Sequence, residues 1–418
     1  MLPSVNDRTL VQYLLSAADT IRQQISSDLS LDSAARLSET AAVITRVAQQ
    51  IACRDDESED ARNEYNAILA AQTEFKGLMN SASSGLTSAT PRSVDAERIQ
   101  AYLRTHPLGG SNVKVTKARL LAGGRCKITA LVEQTGAVQL PAVLVLRQDW
   151  EGGATDTTVT EEFALLAKLA AFGVRVPKPL LLENDTSALG SPFIMVEHMP
   201  GGVEGGLYNP PQSPTLMLQL AEQLGRIHAM PLSEVKPLLQ HIPPQTASNP
   251  SDVERFAELH ATYGIQSKIV DAAIDWLKSN LALAGEGLSL IHNDFGFHNT
   301  LVSGDTLTAI LDWELSCLGH PASDLGYIKH FVGKVIPWDD FIAHYVASGG
   351  FSIPAETIRF HAIWNAVRLY GLIMQARANL EMGKVNDMEI TYVCADNLML
   401  LIEFLGQEIF ATDGVVQP

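Results

Sequence analysis

His292-Asn293-Asp294-Phe295-Gly296-Phe297-His298-Asn299 spaces an Asp and an Asn as H-x-D-x-x-x-x-N, and Asp312-Trp313-Glu314 follows a short way on. Residues of these types in this order suit phosphoryl transfer. One carboxylate, Asp294, accepts the proton of an attacking hydroxyl. The amide of Asn299 and the carboxylate of Asp312 offer hard oxygen ligands to Mg2+, which neutralises charge on the phosphates of ATP.

The elements between these residues must bring them together. Thr300-Leu301-Val302 and Thr306 to Leu311 are short β-prone runs on either side of Ser303-Gly304-Asp305, a turn signal. Folding about that turn is expected to set Asn299 opposite Asp312, so that two oxygen donors meet at the open end of one hairpin.

The stretch His292 to Gly326, reading HNDFGFHN and then LDWELSCLGHPASDLG, resembles the aminoglycoside phosphotransferase and choline kinase-like family. More narrowly it resembles the branch related to kinase domains fused to acyl-CoA dehydrogenases. The likeness covers roughly residues 95 to 410. It implies an α+β, two-lobed protein-kinase-like fold with ATP between the lobes. It further implies Asp294 as catalytic base, His292 ordering the catalytic loop, Asn299 and Asp312 on magnesium, and Asp324 bracing the loop. Asn293 stands where the family usually has Gly, and Asn tolerates positive φ better than most residues. Trp313-Glu314 stands where protein kinases have Phe-Gly.

Upstream, Val94 to Arg104 reads as a helix, followed by β segments at Val113 to Leu121, Cys126 to Glu133 and Val143 to Arg147. Gly123 and Gly124, between the first two strands, let backbone N–H groups approach phosphates, though a plain hairpin turn uses the same residues. Arg147 ends an apolar strand that resembles the one carrying the ATP-pairing Lys of kinases. Its planar fork can bridge phosphate oxygens and a carboxylate. Glu162, on a helix predicted from Val159 to Phe172, is the expected partner, with Glu161 the alternative on another helical face. The strand Pro192 to Glu197, with His198 and a Pro-Gly break after it, resembles the crossing between lobes where adenine meets the backbone at Glu197 and His198. His228 closes a helix predicted over 213–229 and reads as structural. Helices rich in Trp364, Leu369, Leu372 and Leu400 to Leu405 suit a helical C-terminal lobe.

Three parts follow: a helical domain and linker over 1–90, an N-lobe over 91–200 and a C-lobe over 201–418. The first part rests on apolar stripes such as Leu10, Leu14, Ala18, Ile21 and Ile25. It is expected to dock on the kinase part, hold a homodimer or recruit a partner. The net charge of −17 argues against nucleic acid. No apolar run reaches the length of a membrane span, and four scattered cysteines indicate a reducing, cytoplasmic compartment. The acceptor is expected to be a small-molecule hydroxyl. Between Asp312 and His320-Pro321 lie only the residues 313–319, and no A-P-E segment follows, which disfavours a protein kinase. The branch resemblance points to a hydroxyacyl-CoA or related metabolite. An aminoglycoside is the alternative, and a non-catalytic nucleotide- or acyl-CoA-binding regulator is a third reading.

Overall fold

The computed structural model describes residues 94–121, 127–150, 157–205, 210–242, 244, 250–264, 267–381, 398 and 401–409. The helices expected before residue 80, the linker after them and the Gly123-Gly124 turn lie outside the described residues.

Helix α1 (Ala96–Thr105) starts at Asp95, whose carboxylate accepts the backbone N–H groups of Glu97 and Arg98. Its buried Ile99 and Leu103 pack against an antiparallel sheet of order β1-β2-β3-β5-β4. The strands are β1 (Lys114–Leu120), β2 (Lys127–Thr135), β3 (Val143–Asp149), β4 (Pro179–Glu183) and β5 (Phe193–Glu197). Period-two alternation sends Leu144 and Leu146 of β3 into the core beneath α1 and leaves Val145 and Arg147 on the opposite face. That face meets α2 (Val159–Ala171).

Thr158 and Glu161 form a reciprocal capping box at the start of α2. Glu161 is spent there and on His241 Nε2, at 2.9 Å. One residue on, the helix has turned by about 100°, and Glu162 points inward with 4% of its side chain exposed. The choice between the two glutamates is thereby made by the cap.

The C-terminal part is built from α3 (Pro214–His228), α4 (Pro250–Tyr263), α5 (Lys268–Ser279), α6 (Ala322–Val332), α7 (Trp338–Ala347) and α8 (Ala355–Glu381). Between α5 and α6 run four short strands: β6 (Ser289–Ile291) pairs with β9 (Cys317–Gly319), and β7 (Thr300–Ser303) with β8 (Thr306–Ile310). A core from Leu166 through Leu220 and Leu224 to Phe295, Phe297 and Trp313 joins α2 to these strands. The crossing from β5 is fastened to β7. Gly202 and Val302 exchange two backbone hydrogen bonds, at 3.0 and 2.8 Å. Gly201 is obligatory beside them: its φ is +105°, and an added Cβ would stand 2.3 Å from the Val302 carbonyl oxygen. Among the described residues no helix is long and apolar enough to cross a membrane.

Candidate active site

The loop after β6 is held by one carboxylate. Asp324, fully buried near the start of α6, accepts the backbone N–H groups of His292 and Asn293, each at 2.8 Å, and His228 Nε2–H at 3.2 Å. Burial works to raise its pKa, but the hydrogen bond and charge of His228, with His292, outweigh this and hold it below the ordinary carboxylate value. His228 Nδ1 shares a hydrogen bond with the Tyr345 hydroxyl at 2.8 Å, so both ring nitrogens of the buried His228 are engaged within the core. Asn293 takes φ +68°, the left-handed conformation that Gly supplies more cheaply. His292 is fully buried, donates to the Leu311 carbonyl at 2.9 Å and packs on Trp313. Its ring packs against Phe295 as well, behind the loop.

Asp294 emerges from this brace. Its Oδ1 accepts the Tyr327 hydroxyl at 2.7 Å and His298 Nε2–H at 3.1 Å, and its Oδ2 accepts Asn299 Nδ2–H at 2.9 Å. Two donors fill the lone pairs of Oδ1, and Oδ2 keeps one open. Burial works to raise the carboxyl's pKa. The donors His298 and Tyr327, with His292 nearby, overcome this and hold it far below the usual range.

Asn299 donates to both the side chain and the backbone carbonyl of Asp294, leaving its own Oδ1 as the outward oxygen. The β7–β8 register differs by one residue from the expected pairing. A bulge between Leu301 and Val302 shifts the ladder, and Leu311 N–H donates to the Asn299 carbonyl at 2.8 Å. Asn299 therefore faces Leu311, with Asp312 the next residue along. Asp312 has φ +63° and a side chain 40% exposed. Arg147 Nη2 lies 4.0 Å from its Oδ1, while Arg147 Nε lies 2.7 Å from Glu162 Oε1. Burial opposes the guanidinium's charge, but Glu162, Asp312 and Glu314 more than restore it.

Arg147, Glu162 and Asp312 open into a cleft of about 300 Å³. Thr129, Leu131 and Val145 of the sheet line one wall, Leu301 and Ile310 of the hairpin the other, and Glu197 and His198 the crossing. The arrangement is an apolar slot with a cation and carboxylates at one end, suited to a base and polyphosphate.

Residues 129–361 match the model of the phosphotransferase enzyme family. This chain belongs to that family. Acyl-CoA dehydrogenase family member 11 of Rattus norvegicus is 25% identical over 280 residues, which are 64% of this phosphotransferase and 35% of the relative. The chain thus spans about a third of that protein's length. The GDP complex of wild-type aminoglycoside 2′-phosphotransferase-IIIa is 16% identical, with a TM-score of 0.55, over 76% of this chain and 99% of that one. A choline/ethanolamine kinase family protein from Mesorhizobium loti is 18% identical, with a TM-score of 0.51, over 74% and 94%. These likenesses show a mixed α/β kinase-like fold, and the family's members act on small molecules.

Three contacts of the phosphotransferase site were not read from its sequence. Tyr327 lies one helical turn beyond Asp324, so a brace and a donor share one face of α6. His298 was legible only as part of the motif; an added Cβ at Gly296 would stand 2.8 Å from its Nδ1, so the glycine makes room for the ring. Lys127 is 5% exposed, lies 2.7 Å from Asp149 Oδ1 and also donates to the Thr157 carbonyl. The same Asp149 oxygen accepts Val159 N–H at 3.1 Å, placing a carboxylate at the N-terminus of α2.

Proposed function

We propose that the protein transfers the γ-phosphoryl group of ATP to a hydroxyl of a small metabolite, a hydroxyacyl-CoA or a related acid. The observation that carries this reading is the Asp294 carboxylate, held ionised by three donors with a lone pair of Oδ2 open. Oδ2 orients the acceptor hydroxyl. The acceptor oxygen bonds to the γ-phosphorus, the bond to the β,γ-bridging oxygen breaks, ADP leaves, and the hydroxyl proton passes to Oδ2. A carboxylate of such low basicity takes the proton only as the new bond acidifies the hydroxyl, which suits a loose transition state.

Asn299 Oδ1 and the Asp312 carboxylate are hard oxygen donors at the end of one hairpin and fit magnesium. When bound, magnesium supplies charge neutralisation to the phosphates. Arg147, fixed by Glu162, presents its remaining N–H groups to phosphate oxygens. Glu197 and His198 border the adenine end. His292 positions the loop. We assign 1–90 to a separate helical domain and linker, 91–200 to the N-lobe and 201–418 to the C-lobe.

A net charge of −17 favours a second reading, a cationic aminoglycoside as acceptor. Incubation with ATP and magnesium against pooled hydroxyacyl-CoAs and aminoglycosides, with mass detection of products, separates them. A phosphorylated hydroxyacyl-CoA supports the first reading and a phosphorylated aminoglycoside the second. Magnesium-dependent ATP binding without turnover on either pool would leave a nucleotide-binding regulator.

A further inference from the structure

Arg368 of α8 reaches back to the catalytic loop. Its Nη2 donates to the carbonyl of Asn293, the residue before Asp294, across 3.4 Å, and its Nε is buried without a hydrogen-bond partner. The two carboxylates near it are committed elsewhere. Asp294 takes Tyr327, His298 and Asn299; Asp324 takes His228 and two backbone N–H groups. Neither forms an ion pair with Arg368, and no other carboxylate among the described residues does. Burial works against the guanidinium's charge, and Tyr327, Cys317, Asp294 and Asp324 only partly restore it.

A half-buried guanidinium with one long hydrogen bond is costly unless an anion completes it. The planar fork fits a carboxylate or a phosphate. Because its hydrogen bond runs to the carbonyl of the residue before Asp294, an anion on Arg368 would lie on the side of α8 that faces the catalytic loop. The neighbouring surface is apolar. Leu372, one turn further along α8, is 50% exposed. Leu369 lines a recess with Tyr327, Phe331, Leu401 and Phe404.

We propose that Arg368 binds a carboxylate or phosphate carried by the acceptor, so that the acceptor is an aliphatic hydroxylated anion. This rests on the phosphotransferase reading and narrows its substrate class, since a guanidinium at this place repels a polycation.

The test uses the full chain with magnesium-ATP and three probes of one carbon skeleton: a short hydroxyalkanoic acid, its coenzyme A thioester and its neutral methyl amide. The wild type is expected to favour the acid or the thioester over the amide in kcat/KM by at least about tenfold. Preference for the acid assigns the anion to a carboxylate, and preference for the thioester to coenzyme A phosphates. Arg368→Gln should erase the preference, and Arg368→Lys should keep part of it. If Arg368 only supports the loop, Arg368→Gln lowers turnover on all three probes alike and leaves the ratio unchanged, which overturns the proposal. Equal use of the three probes by the wild type overturns it without any variant. Binding is read separately, by the rise in melting temperature with the unhydroxylated acid and thioester. Stabilisation without transfer refutes the phosphotransferase reading alone; transfer without discrimination refutes this one.

Discussion

Thr157 Oγ1–H donates to the carbonyl of Glu314 across 2.8 Å, joining the residue before the α2 cap to the turn that follows Asp312. Glu162 of α2 pairs with Arg147, and Arg147 approaches Asp312, so the contacts close a ring around the polar end of the cleft. Thr157→Val removes the link while keeping shape. Loss of one hydrogen bond costs about 1 kcal/mol, so magnesium-ATP affinity is expected to weaken by roughly fivefold. Titration calorimetry on the variant checks this; unchanged affinity would show that α2 is positioned without Thr157.

Asp294→Asn keeps the volume and the contact with Tyr327 but removes the proton acceptor. Turnover is expected to fall by roughly 100- to 10,000-fold with nucleotide affinity retained. Tyr327→Phe should cost less and move the acid limb of kcat/KM. With one donor gone, the Asp294 pKa rises toward the ordinary value, and the fall in activity on acidification begins at higher pH. Single-turnover kinetics carried down to about pH 3, below the ordinary carboxylate value, distinguish the two variants.

For Asp312→Asn the expected loss is in the magnesium-dependent gain in ATP affinity, because the charged metal ligand is gone. Asn299→Ala acts in the same direction but more weakly on affinity, and it also frees Oδ2 of Asp294. ATP titrations with and without magnesium report both. An unchanged gain in Asp312→Asn would move the metal role to another residue.

His361 is buried, donates Nε2–H to the Ala284 carbonyl at 2.9 Å and stacks on His320. Burial pushes its pKa down to about 4, with the carbonyl opposing and His320 adding to the shift. The unfolded chain, with His near 6.5, therefore binds the extra proton first as pH falls. The stability held by neutral His361 is present above about pH 6.5 and is lost between there and about pH 4. The loss amounts to at most about 3 kcal/mol. Thermal melts across that window should show a steeper decline for the wild type than for His361→Gln.

A chain beginning near Pro91 is expected to fold and to bind magnesium-ATP. The capped α1 and its core under the sheet lie downstream of that point, as do Arg147, Glu162, Asn299 and Asp312. Melting with and without magnesium-ATP checks it. Failure to fold would place the first 90 residues within the kinase core.

The sequence by itself determined the local parts of this protein. Alternation in Val143–Arg147, the Ser303-Gly304-Asp305 turn and the capping residues each act over a few neighbours, so strands, hairpin and α2 fall close to where their patterns put them. The loop motif likewise singled out Asp294, Asn299 and Asp312 as the proposed base and magnesium ligands, because phosphoryl-transfer chemistry sets their spacing. Tertiary structure decided what depends on distant contacts. The bulge between Leu301 and Val302 sets Asn299 against Leu311, and residue types alone do not mark it. Glu162 prevails over Glu161 because the cap and His241 occupy the latter. Tyr327 and Arg368 reach the loop only because α6 and α8 fold back against it, at sequence separations of 33 and 75 residues. Gly326 lets those helices touch, since a Cβ there would stand 2.5 Å from the Ala362 nitrogen. A lone Tyr or Arg on a helix has no local pattern to mark it; the close crossing of the two helices gives each a partner.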